Sequence, residues 1–297
     1  MKTQQPRISA FTSEKARLAF SATYESMLDR LWPARTTSEV PTDYGTTRAL
    51  LDGESRDVAP FVMLPGAGGN SLMWHRHIAA LKAARPVITL DPPGEPGGST
   101  HTRPFADGRD LADWLEQALT GLGIDRAHLI GASNGGWVAM QHALHRPGRA
   151  ATLTLLDPAG FGRITARFLR WVILGGLASH APDRLRRRMA GHLRNVTLLD
   201  DDFVQLVKLS TAYRRRLPLP PPLTDTELAT LTLPVHLMLG EHSVMYDARQ
   251  VAQRAARVMP DVRVEIVPGA SHDLPLHSVD LVTARAIDLA RTTESIS

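Results

Sequence analysis

The chain has 297 residues, 43% hydrophobic and 22% charged, which is enough for one large or two smaller domains with a sizeable core and too apolar for a disordered protein. It contains no cysteine, which excludes disulfides, thiol nucleophiles and cysteine metal sites. The net charge of +4 is uneven: residues 163–216 hold twelve Lys and Arg against four Asp, a local charge of +8, and the remainder of the chain carries −4. A basic stretch of this kind either attracts an anionic substrate, a carrier protein or a nucleic acid, or forms solvated helix faces; no nucleic-acid motif accompanies it. The first twenty residues lack an apolar signal core, and the longest apolar run, Trp171 to Ala178, is far short of a bilayer span. The expectation is a soluble, cytoplasmic protein with no membrane span.

Taken in order, residues 13–31 read as an amphipathic helix with Ser13 as N-cap and Phe20, Tyr24, Met27, Leu28 and Leu31 on one face, ended by Trp32-Pro33. Residues 1–42 are therefore expected to form an N-terminal helical extension. The alternating DYGTTRALL at 43–51 suggests an edge strand, and 53–57 a turn. Phe61 to Leu64 is a short buried strand running into Pro65-Gly66-Ala67-Gly68-Gly69-Asn70, a Gly-rich loop ahead of a helix starting near Ser71. Next come a strand at Val87–Leu90, the loop DPPGEPGGS at 91–99, a helix at 110–122 and a strand at 127–130. Then follow Gly131-Ala132-Ser133-Asn134-Gly135-Gly136, a helix at 137–144 and a strand at 151–156. Strands alternating with helices at this spacing predict an α/β fold, a mostly parallel central sheet flanked by helices, with ligands bound at the carboxyl ends of its strands.

After Asp157 the alternation stops. Residues 159–225 show three helical patches, no convincing strand and a closing proline run at 217–223, and they read as an inserted helical cap. Alternation resumes with a strand at 235–239, a helix at 248–258, a strand at 262–267, the loop PGASHD at 268–273 and a helix at 278–290. The core is thus expected in two parts, 43–158 and 226–297, on either side of the cap.

Ser133 stands between small residues where a strand switches to a helix, the G-x-S-x-G nucleophile elbow: glycine removes side chains that would clash in so sharp a turn, and the serine sits at its apex. The helix that follows points its N-terminal amides and dipole at the same place. A serine hydroxyl is a weak nucleophile until a base takes its proton, so the elbow calls for a histidine late in the chain. Of the twelve histidines, His272 lies in the loop after the last strand, with His242 and His277 as competitors near the same rim. Two backbone N–H groups, from Asn134 after the serine and Ala67 in the first Gly-rich loop, are expected to hold a developing oxyanion.

The leading helix and WP, LPGAGGN, DPPGEPGGS, GASNGG, LLDPAG, LGEHSVMYD and GASHDLP together make the chain resemble the α/β-hydrolase superfamily with an inserted cap, and more narrowly the bacterial carboxylesterase-like serine hydrolases. The resemblance implies a Ser-His-acid triad, an acyl-enzyme, a small-molecule ester, thioester or lactone substrate and no metal or organic cofactor. The sequence departs from the family pattern twice. The oxyanion loop begins Pro65-Gly66 instead of His-Gly, and Ser243 occupies the usual place of the triad acid. Asp157, in LLDPAG, sits at the alternative place for that acid; Glu241 and Asp247 compete with it, although Asp247 precedes a helix, where capping is the commoner use of Asp. Of the three, the sequence favours Asp157. The pocket is expected between Ser133 and the cap, lined by Phe168, Trp171 and Val172 with Trp74 and Trp137 below. Non-hydrolytic acyl transfer or cyclisation, and a ligand-binding protein on the same scaffold, are the rival readings.

Overall fold

The computed structural model describes residues 8–53 and 58–295; part of the turn expected at 53–57 lies outside them. Four strands have every residue buried: β4 (Phe61–Leu64), β5 (Val87–Asp91), β6 (Ala127–Ala132) and β9 (Val235–Gly240), while β7 (Ala150–Leu156) is buried from its second residue on. Short, largely apolar strands with every residue buried are stable only when both faces are covered. The numbering includes two-residue β1 (Ala10–Phe11), β2 (Thr36–Thr42), β3 (Gly45–Asp52), two-residue β8 (Tyr213–Arg214) and β10 (Val262–Val267). Eight of these form one sheet in the order β10-β9-β7-β6-β4-β5-β3-β2, parallel except where β3 pairs antiparallel with β5 and β2.

Alternate side chains along each strand feed two clusters on opposite faces. Val62, Leu64, Leu129, Leu153, Leu155 and Leu237 point to one; Phe61, Met63, Ile130, Leu156 and Met238 point to the other. The first is covered by α3 (Gly108–Gly121), α4 (Asn134–His145) and α9 (Ala248–Val258), the second by α1 (Glu14–Leu31), α2 (His75–Ala84) and α11 (Val279–Glu294). Ser13 caps α1 as expected, accepting from the Ala16 N–H at 3.2 Å.

The N-terminal expectation needs correction. Residues 36–42 are not part of a helical extension; they form the sheet's edge strand, so the strand at 43–51 expected there is one position in from the edge. An edge strand with one face in solvent needs few apolar residues, and in TTSEVPT only Val40 is buried, with Pro41 tolerated because one side of the strand is unpaired. That left little periodic signal to read.

Between β7 and β9, residues 159–225 supply no strand to the main sheet. They contain α5 (Ala166–Ser179), α6 (Asp183–Leu193), α7 (Asp201–Ser210) and β8, which pairs antiparallel with β1 near the start of the chain. The short helix α8 (Asp225–Ala229) leads back to the sheet, and α10 (Leu274–His277) precedes α11. No described helix is long and apolar enough to cross a membrane.

The chain leaves β4 for β5 on one side and later returns to place β6 on the other side of β4. At such a reversal the loops from neighbouring strand ends diverge and leave a crevice. The loops after β4, β6, β7, β9 and β10 all open at that carboxyl edge.

Candidate active site

The tight turn after β6 is set by what lies behind it. A Cβ on Gly131 would stand 2.6 Å from the Gly135 carbonyl oxygen, and one on Gly135 would run into the Leu64 carbonyl. Ser133 is forced to φ 48°, ψ −114°, a left-handed conformation that a residue with a side chain adopts only when its surroundings hold it there. Its N–H donates to the Leu156 carbonyl at 3.0 Å and its own carbonyl accepts from the Ala159 N–H at 2.9 Å, so the elbow is bonded to both flanks of the turn that carries Asp157.

Three side chains that are 115 and 139 residues apart along the chain form a continuous hydrogen-bonded line. Ser133 Oγ lies 2.9 Å from His272 Nε2, and His272 Nδ1 lies 2.7 Å from Asp157 Oδ2. A carboxylate only accepts, so Nδ1 carries the proton and Nε2 is left to accept from the serine hydroxyl. Asp157 is fully buried at φ 43° and accepts two further hydrogen bonds: the Ser243 hydroxyl donates to Oδ2 at 2.7 Å and the Gly240 N–H to Oδ1 at 3.2 Å. The buried Tyr246 hydroxyl faces the same carboxylate without a hydrogen bond of ordinary geometry; burial first and the Asp157 charge second push its phenol far above the usual range.

The competing acids are engaged elsewhere. Glu241 accepts from the Gly269 N–H at 2.9 Å, and Asp247 caps α9 through the Arg249 and Gln250 N–H groups at 2.9 and 3.1 Å. Ser243, at the place where an acid is usual, donates to the Asp157 carboxylate. His242 lies 3.7 Å from Glu241, and the His277 ring contacts the Ser278 hydroxyl, so neither competing histidine reaches the serine.

Gly66 packs against the elbow, where a Cβ would stand 3.4 Å from Ser133 Cβ. The loop around Ala67 is held from outside by Glu95, which is buried and accepts from the Gly68 N–H at 2.8 Å and from Arg215 Nε at 2.8 Å; burial raises its carboxyl above the ordinary value despite that partner. Among the described residues no acceptor meets the Ala67 N–H. The Asn134 N–H is the first of α4 and has no partner within the helix.

The Phe168 and Trp171 rings of α5 meet the His272 ring nearly perpendicularly, at 5.1 and 5.9 Å between centroids. The other three pocket residues expected from sequence are not at the site. Val172 is 48% exposed, because the inward side of α5 runs through half-buried Trp171 and buried Gly175 and Ala178 and leaves Val172 to one side. Trp74 and Trp137 are fully enclosed in the two core clusters on opposite faces of the sheet. Each is an aromatic close in sequence to a loop of the site, and proximity along the chain did not reveal that its ring turns inward.

Sequence reading also missed Asp273. It is buried directly after His272, accepts from the Val196 and Thr197 N–H groups, and so ties the histidine loop to the helical segment; burial raises its carboxyl above the ordinary value. Nothing local marks it, since its partners are 76 and 77 residues away. Two clefts of about 360 and 410 Å³ lie beside the site; the first is walled by Trp171, Arg170 and Ser271, the second by Ser243, Tyr246 and Glu241. No cluster of three or more His, Asp or Glu among the described residues is arranged to hold a metal ion.

Residues 61–286 match the model of the alpha/beta hydrolase family. The chain is 29% identical over 290 residues to the uncharacterized carboxylesterase nap of Bacillus subtilis (strain 168), covering 94% of this chain and 95% of that one, and 27% identical over 295 residues to carboxylesterase YbfK of the same strain, covering 93% and 95%. The crystal structure of naproxen esterase (carboxylesterase NP) from Bacillus subtilis superposes with a TM-score of 0.83 at 26% identity, covering 93% of this chain and 98% of that one.

Proposed function

The chain belongs to the alpha/beta hydrolase family and is a carboxylesterase-like hydrolase, and from that premise we propose that it cleaves carboxylic esters through Ser133, His272 and Asp157 by way of an acyl-enzyme. The observation that carries this reading is the unbroken line from Ser133 Oγ through His272 to a buried Asp157, on a serine held in a strained turn. In this mechanism Ser133 Oγ bonds to the ester carbonyl carbon while its proton passes to His272 Nε2, and the carbonyl electron pair moves onto oxygen. Asp157 keeps the imidazole in the tautomer that accepts at Nε2 and stabilises the imidazolium. The Ala67 and Asn134 N–H groups receive the oxyanion; both are backbone donors, so a proline at position 65 leaves them in place. Collapse expels the alcohol, which takes the proton from Nε2. Water, deprotonated by the same nitrogen, then opens the acyl-enzyme and releases the acid.

In the same reading residues 159–225 are a cap over the site, with Phe168 and Trp171 screening His272 from water on one side. The substrate is a small-molecule ester.

The test is labelling with a fluorophosphonate followed by peptide mapping, together with hydrolysis of 4-nitrophenyl butyrate. A single adduct on Ser133 and loss of hydrolysis on labelling are expected. Folded protein that neither labels nor hydrolyses the ester would instead support a binding protein on a hydrolase scaffold.

A further inference from the structure

The cleft of about 360 Å³ between α5, the end of α6 and the loops after β9 and β10 is unusual in its charge. Arg167, Arg170 and Arg194 all line it, with His192 and His242, and no acidic side chain does. Some arginines of the helical segment have carboxylate partners: Arg186 pairs with Asp183 and Asp201, Arg187 with Asp201 and Arg215 with Glu95, whereas Arg163, Arg184, Arg188, Arg214 and Arg216 are in no ion pair among the described residues but do not line this cleft. Among the described residues Arg167 and Arg170 have no ion pair and no side-chain hydrogen bond. They stand at i and i+3 on α5, on neighbouring positions of one helix side. Arg194 ends α6 in the left-handed conformation, φ 48°, where glycine is the usual resident, so this arginine is present at a conformational disadvantage. Its charge is felt by Glu241, which already accepts from the Gly269 N–H and lines, with Asp247, a neighbouring cleft that shares Arg167 and His242 with this one.

Like charges gathered in one concave wall raise the local potential and concentrate anions there. The guanidinium fork matches carboxylate and phosphate oxygens. The wall shared with the active site is the Trp171 indole, which lines this cleft and stands 5.9 Å from the His272 ring. That indole is fixed across the two helices by its N–H, which donates to the Leu193 carbonyl at 2.8 Å. Ser271, immediately before His272, forms another part of the same wall.

We propose that this cleft is an anion subsite, in which Arg167, Arg170 and Arg194 select esters that carry a carboxylate or phosphate beyond the scissile bond. The proposal rests on the serine-hydrolase reading above and names the substrate class of that site. The ester reacts on the Ser133 side of Trp171 while the anionic end is held on the other side.

Two matched substrate pairs test it at low salt. Monomethyl adipate and methyl hexanoate differ only in a terminal carboxylate on the acyl side; 2-(hexanoyloxy)ethyl phosphate and 2-hydroxyethyl hexanoate differ only in a phosphate on the alcohol side. In at least one pair kcat/KM is expected to favour the anionic member about tenfold or more. That ratio is expected to fall about tenfold in Arg167→Gln/Arg170→Gln/Arg194→Gln and to shrink as salt is raised. The favoured pair identifies whether the charge lies on the acyl or the alcohol side. Arg170→Gln alone, with a smaller fall in the ratio, serves if the triple variant does not fold. A ratio near one in both pairs, or a preference that survives the arginine changes, overturns the subsite while leaving the ester hydrolase intact. Failure to turn over any of the four esters, with no fluorophosphonate adduct, would overturn the hydrolase reading itself.

Discussion

The sheet and the helical segment at 159–225 meet over His272, and different forces hold each together. In the sheet, the central strands are buried on both faces and the carboxylates at their ends, Asp91 and Asp157, are fully enclosed and each accepts from at least three donors. The helical segment has a buried cluster of only Ala178, Ala190 and Leu198, and α5 leaves Leu169, Ile173 and Leu177 between 52% and 65% exposed. Its cohesion comes from polar ties: Arg186, itself buried, joins Asp183, Asp201 and the Leu198 carbonyl, and Asp273 binds the segment to the histidine loop. Close-packed apolar layers fix atoms to fractions of an ångström, which reaction geometry demands; charged walls on lightly packed helices suit selection among substrates. In the proposed reading the chemistry belongs to the first region and the choice of substrate to the second.

The largest effect is expected where the sheet region's geometry is attacked directly. Ser133→Ala should lower kcat for an activated short-chain ester by on the order of 10³-fold or more, with an unchanged unfolding midpoint, since the alanine only removes a hydroxyl. Retained turnover in a clean preparation would place the chemistry elsewhere. Asp157→Asn should reduce kcat by on the order of 10²-fold or more, because an amide can present its NH2 to His272 Nδ1 and favour the wrong tautomer. Glu241→Gln and Asp247→Asn, measured beside it, should stay within about twofold of wild type, as their carboxylates serve a turn and a helix cap. A larger loss at either of these than at Asp157 would reassign the acid.

The sheet region should also carry the acid sensitivity of the fold. His77 and His128 are enclosed, and burial, the leading cause for both, lowers each from the ordinary 6.5 to about 4. A histidine neutral in the fold but protonated in the unfolded chain contributes its full stability above pH 6.5. That contribution is lost as the pH falls from 6.5 to about 4. Urea unfolding across this window should show a decline of about 3 kcal/mol for each ring, shallower in His128→Gln. A flat profile would mean that neither ring resists protonation.

The smallest effect concerns the helical segment alone. Arg186→Ala removes its central tie, but the Asp183 and Asp201 carboxylates are 81% and 70% exposed, so solvent screening leaves about 1 kcal/mol. Hydrogen exchange over 183–201 should quicken roughly fivefold while the central strands keep their protection. Loss of protection in β6 and β7 as well would mean that the two regions unfold as one.

Elements whose signal is carried by their own residues are legible in the sequence alone. The helix at 248–258 and the strand at 262–267 fall at the residues expected from periodicity. The elbow's glycines, and a histidine after the last strand, mark Ser133 and His272 as a pair, because a sharp turn and a late loop impose local requirements on residue type. The choice among Asp157, Glu241 and Asp247 is different in kind. All three sit near strand ends, and only the folded chain shows which carboxylate stands 2.7 Å from His272 Nδ1 and which two are occupied by backbone amides.

Tertiary structure alone decided the rest. The edge strand at 36–42 is made by its pairing with β3 and needs little apolar content of its own. Ser243 joins the site through a hydroxyl aimed at a carboxylate 86 residues away, and Glu95 steadies the loop around Ala67 through an arginine 120 residues away. Trp74 and Trp137 turned inward and Val172 outward according to what packs above each helix. The surplus of positive charge at 163–216 is countable from composition, but which arginines are neutralised and which stand unpaired beside Trp171 depends on where the aspartates land. Local backbone preference is written in neighbouring residues, whereas the partner of a charge or a hydroxyl is whatever the fold brings within about 3 Å of it.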